Sequence, residues 1–289
     1  MHVPVMLRES LEYLAIRPGG VYVDVTAGLG GHTKAIAERL TTGFVIASDR
    51  DPESLALARL STAGLEGRVR FHHGRFSELR TILAAEGLEK VDGILADLGV
   101  SRYQLTEPER GFSLMSEGPL DMRMDRSRGA PASDIVNFWS EKAIADLIYT
   151  LGEERRSRRI ARAIVRARPI RTTQQLARVI EQAAPRTGRL HPATQTFMAL
   201  RLAVNEELEE LDRFLEIAPQ VTAGGGRIVV ITFMSLEDRK VKQSFQELVR
   251  GGRAVALTRH VVRPTQEEVE GNPPSRSAKL RAVEITKEK

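Results

Sequence analysis

The sequence predicts an α/β protein in which a doubly wound sheet is interrupted by an all-helical insertion. Short apolar, β-rich segments alternate with helical patterns over the first hundred residues, and strand patterns return near the C-terminal end. Between Tyr103 and Leu190 no buried strand is evident, which predicts the insertion. We therefore expect one α/β domain in two parts, 1–105 and 191–289, separated by a long loop and helices over 106–190.

Seven segments are predicted to be strands, and the first four are continuous runs bounded by glycine or charge, as expected of parallel strands buried on both faces. Helical patterns separate the first four, as in the repeating β-α units of a doubly wound sheet. The predicted strands are Val21–Thr26, Phe44–Asp49, Val69–His73, Val91–Leu98, Arg227–Phe233, Val255–Val261 and Lys279–Thr286.

Helical periodicity and capping residues define the other elements. Pro52 suits the first turn of its helix, and Ser140 is placed to cap another. Residues 101–131 are rich in Gly, Pro, Ser and charge, and are predicted to form a long loop. The predicted helices are Thr33–Leu40, Pro52–Ala63, Phe76–Glu86, Ala132–Asn137, Ser140–Tyr149, Glu153–Ala167, Thr173–Ala183 and Pro192–Ile217.

The composition excludes several kinds of chemistry. The 289 residues contain no cysteine, so disulfides, thiolate metal sites, iron–sulfur clusters and a cysteine nucleophile are excluded. The six histidines are scattered without metal-ligand spacing, and no metal site is predicted. No segment resembles a secretory signal or reaches the roughly 18 apolar residues of a membrane span, so we expect a soluble, cytoplasmic protein without a membrane partner.

Positive charge is concentrated in one part of the chain. The net charge is +5, but the segment from Leu151 to Arg201 has twelve arginines and three glutamates, with no lysine or aspartate. Such a stripe can be an ordinary solvated helix face, but the scarcity of acids favours contact with nucleic-acid phosphates. The arginines with helical spacing are Arg155, Arg158, Arg159, Arg162 and Arg166.

A glycine-rich turn between two acids predicts a nucleoside site. The turn lies between Asp24 and Thr33, where glycines and the start of a helix let a ligand approach the backbone. It lacks the G-K-[ST] of a phosphate-binding loop and the third small residue of a dinucleotide fingerprint. Asp49 ends the next strand and can accept both ribose hydroxyl protons, while Asp24 can face an ammonium group. These features suit S-adenosylmethionine; a turn that merely closes a β-α unit is the alternative.

Further strings of residues are distributed over nearly the whole chain. They are His2–Met6, Asp24–His32, Asp97–Ser101 with Gln104–Leu105, Arg110–Ser113, Gly118–Asp125, His191–Thr194, Ala199–Arg201 with Val204–Asn205, Ser235–Arg239 and Arg276–Arg281. In these strings the chain resembles the MraW (RsmH) family of ribosomal RNA small-subunit methyltransferases, which methylate cytosine N4. The resemblance implies a class I S-adenosylmethionine-dependent methyltransferase fold, with a seven-stranded, mostly parallel sheet, a helical insertion and 16S rRNA as the partner.

The resemblance also implies the site residues. Those expected to bind S-adenosylmethionine are Gly30, Gly31, His32, Asp49, Phe76, Asp97 and Gln104. Phe76 is expected to pack on the adenine ring, because an apolar face suits a π surface. Asp97 is also expected to lie closest to the chemistry, more as a positioning group than as a base.

Two features of the insertion receive a functional interpretation beside a structural one. Residues 101–131 are interpreted as a lid over the target cytidine, although their acids and arginines by themselves indicate a salt-bridged loop. His191, Arg201 and Asn205 are interpreted as a polar cluster that faces the site, although each alone would be an ordinary helix residue.

The absence of cysteine also bears on the reaction. Methylation at cytosine C5 needs a thiolate that adds to C6, whereas the exocyclic N4 amine can attack a methyl sulfonium directly. Together with the paired acids, the glycine turn, the arginine stripe and the resemblance, this favours an RNA cytosine-N4 methyltransferase. A methyltransferase of DNA or protein and an RNA-binding assembly factor with a vestigial fold are the alternatives. The oligomeric state is left open, with a homodimer as one option.

Overall fold

In the computed structural model the described residues are 4–185 and 190–287. They fall into two units: the sheet unit, Met1–Gly99 with Leu208–Lys289, and the helical unit, Val100–Glu207. The sequence predicted these divisions after residues 105 and 190, so the helical unit begins earlier and ends later than expected. The residues of the predicted motifs and arginine-rich segment that lie outside the described residues are His2, Val3, Arg186 and Arg189.

The sheet unit contains the predicted seven-stranded, mostly parallel sheet, with strand order β3-β2-β1-β4-β5-β7-β6. The strands are β1 (Val21–Asp24), β2 (Phe44–Asp49), β3 (Val69–His73), β4 (Val91–Asp97), β5 (Thr222–Thr232), β6 (Ala254–Ala256) and β7 (Lys279–Ile285). The first five are parallel, and β7 runs antiparallel between β5 and β6. The predicted strand Val255–Val261 is much shorter, because the backbone N–H groups of Leu257 and Thr258 both turn to the carbonyl of Ala282.

Thirteen α-helices are present in the described residues. They are α1 (Leu7–Leu14), α2 (Gly31–Ala37), α3 (Pro52–Ser61), α4 (Leu79–Ala85), α5 (Arg102–Thr106), α6 (Ala132–Phe138), α7 (Glu141–Gly152), α8 (Ser157–Arg166), α9 (Thr173–Ala183), α10 (Thr194–Val204), α11 (Glu207–Val221), α12 (Ser235–Arg250) and α13 (Gln266–Gly271). None of the described helices is long and apolar enough to cross a membrane.

The central strands β1, β2, β4 and β5 are buried on both faces, which explains why their central residues are largely apolar. Side chains alternate along a strand, so neighbouring residues enter different cores. Val23 and Ile46 pack in the core that includes α4, α11 and α12, whereas Tyr22 and Val45 pack in the core that includes α1, α2 and α3. The carboxyl ends of the central strands are thereby fixed along one edge.

The helical unit has its own core, to which α10 contributes Phe197 and Leu200. This packing explains why the helical unit includes α10 and ends after Glu207, instead of ending before α10. The single helix predicted over Pro192–Ile217 is wrong: α10 ends at Val204, and Glu206 adopts a left-handed conformation with φ 52° before α11 begins.

The predicted helix Glu153–Ala167 also begins later, at Ser157. Glu153 is left-handed, with φ 52°, and the Glu154 carboxylate accepts a hydrogen bond from the backbone N–H of Arg156 at 2.8 Å. Arg155 therefore precedes the helix instead of lying on it. Its four companions in the arginine stripe remain on α8 and are exposed: Arg158, Arg159, Arg162 and Arg166.

Candidate active site

Three aspartates meet at the carboxyl edge of the sheet. Asp24, Asp49 and Asp97 are the last residues of β1, β2 and β4, which are neighbouring parallel strands. The strand order reverses direction between β1 and β4, and ligands of doubly wound folds bind outside the carboxyl ends of strands at such a reversal. Thr26 joins the two strand ends, because its hydroxyl accepts a hydrogen bond from the backbone N–H of Asp97 at 2.7 Å.

Gly30 and Gly31 are required by packing inside the sheet unit. A Cβ on Gly30 would lie 2.3 Å from the Ser61 hydroxyl of α3, and one on Gly31 would lie 2.4 Å from a ring carbon of Pro4. Gly30 also has φ 83°, which favours glycine. These two residues set the shape of the turn, and their contact with a cofactor stays a prediction.

Gly28 is the glycine of the turn that faces open space, and the residues implied by the resemblance did not include it. Its φ is 52°, and a Cβ there would come no closer than 3.8 Å to the nearest group, the Thr26 carbonyl. Its position as the first glycine of the G-x-G pattern was the sequence signal that could have identified it as a site residue. The turn therefore leaves room for a ligand at Gly28, next to Asp49.

Asp49 is held at the mouth of this turn. Its Oδ2 accepts a hydrogen bond from the backbone N–H of Gly28 at 2.7 Å, and its Oδ1 accepts one from that of Asp51 at 2.8 Å. Burial raises the pKa of Asp49 to about 6. Each carboxylate oxygen keeps a second lone pair, so Asp49 can still accept two hydroxyl protons from a ribose.

Asp24 lies inside the turn and not in the cleft. Its side chain is completely buried, and its carboxylate accepts hydrogen bonds from the Thr33 hydroxyl at 2.6 Å and the Thr26 backbone N–H at 3.2 Å. Burial raises the pKa of Asp24 to about 6. The expectation that Asp24 faces an ammonium group is therefore wrong, because its oxygens tie the turn and α2 to β1.

Asp97 has a buried carboxylate oxygen, Oδ1, for which the described residues provide no hydrogen-bond partner. Its other oxygen lies 3.7 Å from Nδ1 of His32. The Nε2 of His32 donates a hydrogen bond to the Val5 carbonyl at 3.0 Å, so Nδ1 is the ring nitrogen that faces Asp97. His32 thus lies against one oxygen of Asp97, and Oδ1 is left for a donor from outside the described residues.

The surroundings of Asp97 disfavour its charge. Burial, followed by the negative charges of Asp24, Glu237 and Glu268, raises the pKa of Asp97 well above its ordinary value. An unpartnered buried carboxylate is costly, and a cationic or hydrogen-bond-donating ligand would reduce that cost. The site therefore fits a nucleoside that carries positive charge, such as S-adenosylmethionine.

Phe76 is held near Asp49 by contacts with α11. It follows β3, whose last residue, His73, pairs with Asp49 in the sheet. The Phe76 ring meets that of Phe214 edge to face, with centroids 5.6 Å apart. The preceding residue, Arg75, forms an ion pair with Glu210 at 3.2 Å, one turn before Phe214 on α11. These contacts give Phe76 a fixed, partly exposed ring.

Gln104 is placed in the helical unit, where it completes a capping box with Ser101, the N-cap of α5. Its side-chain carbonyl accepts a hydrogen bond from the Ser101 backbone N–H at 2.9 Å, and its own N–H donates to the Ser101 hydroxyl at 3.2 Å. Contact between Gln104 and a cofactor stays a prediction.

The segment 101–131 is anchored within the helical unit. Arg110 is only 1% exposed and donates from Nη2 to the backbone carbonyls of Arg123 and Met124, at 3.1 and 2.9 Å. Arg123 in turn forms a bidentate ion pair with Asp121, with Nε 2.8 Å from Oδ1 and Nη2 2.9 Å from Oδ2. Burial alone would raise the pKa of Asp121, but the hydrogen bonds from Arg123 hold that pKa below its usual range. The salt-bridged loop is confirmed, and a lid function stays a prediction.

The three residues of the predicted polar cluster each make contacts within the helical unit. Asn205 accepts from the Met124 N–H and donates to the Met122 carbonyl, each at 2.8 Å. Arg201 pairs with Glu207 at 2.8 and 3.0 Å. His191 accepts a hydrogen bond from the Ala193 N–H within its own turn. Their contacts stabilise the helical unit and explain the break between α10 and α11.

A seven-stranded sheet with one antiparallel strand among the last three, and with acids at the strand reversal, has the architecture of class I S-adenosylmethionine-dependent methyltransferases. The chain belongs to the MraW methylase family, whose model matches residues 1–286. The predicted family membership is therefore confirmed.

Curated relatives that carry the name ribosomal RNA small subunit methyltransferase H match this chain over nearly its full length. The protein of Solibacter usitatus is 62% identical over 285 residues, which cover 99% of this chain and 100% of the relative. That of Acidobacterium capsulatum is 50% identical, covering 98% of each chain. That of Koribacter versatilis is 48% identical, covering 98% of this chain and 93% of the relative.

Proposed function

We propose that the protein transfers a methyl group from S-adenosylmethionine to the exocyclic N4 amine of a cytidine in 16S rRNA of the small ribosomal subunit. The observation that carries the proposal is the 62% identity, over 99% of this chain, to a relative named for methylation of small-subunit RNA. A cytoplasmic location accords with this substrate. The absence of cysteine supports N4 over C5 as the methylated atom.

The residues of the sheet unit divide the work of binding and orientation. Asp49 accepts the ribose hydroxyl protons, Phe76 provides the face for adenine, and Gly28 lets the ligand approach the backbone. Bound S-adenosylmethionine supplies an electrophilic methyl group. Asp97, at the end of β4, accepts a hydrogen bond through Oδ1 and thereby orients the reacting groups. Methylation requires N4 to release one proton, which Asp97 or water would accept.

Methyl transfer to small ribosomal subunits tests the proposal directly. Subunits from a strain that lacks this enzyme are incubated with isotopically labelled S-adenosylmethionine, and the digested nucleosides are identified by mass spectrometry. We expect labelled N4-methylcytidine. Label at C5, or label only in DNA or protein acceptors, would contradict the proposal. RNA binding without cofactor binding would instead favour an assembly factor.

Cofactor affinity is expected to depend on pH through Asp49. The carboxylate must be ionised to accept both ribose protons, and its pKa is raised to about 6. Affinity for S-adenosylhomocysteine should therefore be constant above that pH and fall by up to about tenfold per pH unit below it. Calorimetric titration between about pH 5 and 8 measures this. In the Asp49→Asn variant, the slope of log affinity against pH below about pH 6 should decrease by one unit, because one titrating group is removed. An unchanged slope would contradict the role of Asp49 in binding the ribose.

The exposed face of α8 is proposed to contact RNA phosphates. Among the described residues, Arg158, Arg159 and Arg166 have no ion-pair partner, and Arg162 contacts Glu141 at 3.5 Å. The opposite face of the helix, including Ile160, is buried in the core of the helical unit. Arginines without acidic partners on a fixed helix face match the charge of an RNA backbone.

Removal of two of these arginines should weaken RNA binding in a salt-dependent manner. The Arg158→Ser/Arg159→Ser variant is expected to lower affinity and to reduce the salt slope by about 0.7 for each phosphate that the variant no longer neutralises. Affinity for a 16S rRNA fragment, measured over a series of salt concentrations, checks this. Arg250→Ser, which removes an exposed arginine from the sheet unit, is the matched control. Equal salt slopes for the unchanged protein, the double variant and the control would exclude α8 from the RNA interface.

A further inference from the structure

Two adjacent aromatic side chains are exposed at one corner of the helical unit. Phe138, the last residue of α6, is 80% exposed, more than any other large apolar side chain among the described residues. Trp139 follows it and is 43% exposed. Both precede Ser140, which caps α7 by accepting a hydrogen bond from the Ala143 N–H. Their backbone is therefore confined between two helices.

Arginine side chains fix this corner beside the C-terminal half of α8. Arg168 donates from Nε to the Val136 carbonyl at 2.8 Å and from Nη2 to the Trp139 carbonyl. Arg162, on α8, contacts Glu141 at the start of α7. The aromatic pair and the end of the arginine stripe thus belong to the same corner.

The charge of the corner favours an anionic partner. The neighbouring acids on α7 are neutralised, since Glu141 lies 3.5 Å from Arg162 and Asp146 lies 2.7 Å from Lys142. Arg166 is exposed and has no ion-pair partner among the described residues. Exposed aromatic rings beside unpaired arginines are the combination that binds single-stranded nucleic acid, in which bases stack on rings and phosphates meet cations.

We propose that Phe138 and Trp139 form a stacking platform for unpaired bases of the RNA whose phosphates contact α8. The inference rests on the proposed function and adds to it a surface that touches bases. Such a surface is needed because phosphate contacts position a strand without distinguishing paired from unpaired regions. Stacking on a flat ring accepts any base, so the platform selects single-stranded RNA and not a particular sequence.

Trp139 is the only tryptophan of the chain, so its emission reports directly on this surface. The full-length protein is titrated with a single-stranded oligoribonucleotide of about 12 nucleotides and with a duplex of equal length. We expect the single strand to quench the emission and the duplex to leave it nearly unchanged. Quenching by neither RNA, or equal quenching by both, would overturn the proposal.

Variants test the energetic contribution of the rings. By anisotropy of a labelled single strand, Phe138→Ala and Trp139→Ala should each weaken binding by about tenfold, and Trp139→Phe should retain most of the affinity. Leu60→Ala, which removes a side chain that is 74% exposed on the sheet unit, should bind as the unchanged protein does. Affinity for S-adenosylhomocysteine should be unaffected by all four substitutions, and the melting temperature should be unaffected by all except Trp139→Ala, which removes a partly buried ring.

The outcomes separate this inference from the proposed function. If the unchanged protein methylates rRNA and both alanine variants bind RNA normally, the platform is wrong and the function stands. If the alanine variants lose RNA affinity but neither they nor the unchanged protein methylates rRNA, the stacking platform is supported and the proposed function is wrong. A change of sedimentation from dimer to monomer, with RNA affinity unaltered, would assign the corner to self-association and overturn the proposal.

Discussion

Replacement of Asp97 by asparagine is expected to lower kcat for methyl transfer by at least about 100-fold. Asparagine keeps the size of the side chain but cannot take a proton or accept hydrogen bonds at both terminal atoms. The affected atom is the buried Oδ1, for which the described residues provide no partner. Single-turnover transfer to small subunits, measured beside the affinity for S-adenosylhomocysteine, separates the loss of rate from the loss of binding.

The pH profile sharpens this test. The pKa of Asp97 is raised by burial first and then by nearby acids, so its ionised form is lost as the pH falls through a value well above the ordinary range. If the reaction needs the Asp97 carboxylate, the rate of methyl transfer should fall as the pH is lowered through this pKa. The pH–rate profile of the Asp97→Asn variant should lack that fall.

A matched control lies on the same strand. Asp92 stands near the opposite end of β4 and accepts a hydrogen bond from the Val21 N–H at 2.7 Å. Asp92→Asn should therefore lower stability without changing kcat. A rate for Asp97→Asn within about threefold of the unchanged protein would show that Asp97 has no part in the transfer.

Replacement of Asp49 by asparagine is expected to weaken binding of S-adenosylhomocysteine by roughly 100-fold or more. Two hydrogen bonds to an ionised group contribute about 1.5–3 kcal/mol each, and the amide can accept at only one terminal atom. The amide NH₂ would also face the N–H of Gly28 or of Asp51, where the carboxylate now accepts. Isothermal titration calorimetry measures the change in Kd.

The stability effect of this substitution needs its own control. Asp51 caps α3 by accepting hydrogen bonds from the N–H groups of Glu53 and Ser54. Asp51→Asn should lower the free energy of unfolding by about 1 kcal/mol or less while changing Kd only slightly. If Asp49→Asn and Asp51→Asn weaken cofactor binding equally, the effect of Asp49 is structural and the ribose contact is wrong.

Much of the site could be predicted from local sequence because β-α units place it there. A buried parallel strand must be a continuous apolar run, and the residue that ends it lies at the carboxyl edge of the sheet. Asp49 and Asp97 were therefore locatable before the structure was known, and the structure confirms their places at that edge. Asp24 has the same position in its strand, yet its carboxylate is consumed by Thr33 and Thr26. Strand position alone could not distinguish it from the other two.

The glycine turn shows the same limit. The glycines of a G-x-G-G pattern are equivalent in sequence, but Gly30 packs on α3 and Gly31 on Pro4, so only the fold shows that Gly28 faces open space. The break between α10 and α11 was hidden as well. Asn205 bonds to backbone groups that are about eighty positions earlier in the chain, and no local pattern encodes such a contact.

By itself, the sequence determined the number of strands and most of their positions, the family resemblance, the exclusion of thiol chemistry and the concentration of arginine, because each depends on composition or on residues close together in the chain. Tertiary structure alone decided the insertion of β7 between β5 and β6, the exposure of Phe138 and Trp139, and the lack of a partner for Oδ1 of Asp97 within the described residues. The physical reason is that strand order, hydrogen-bond satisfaction and burial depend on groups that are distant in sequence and are brought together by folding.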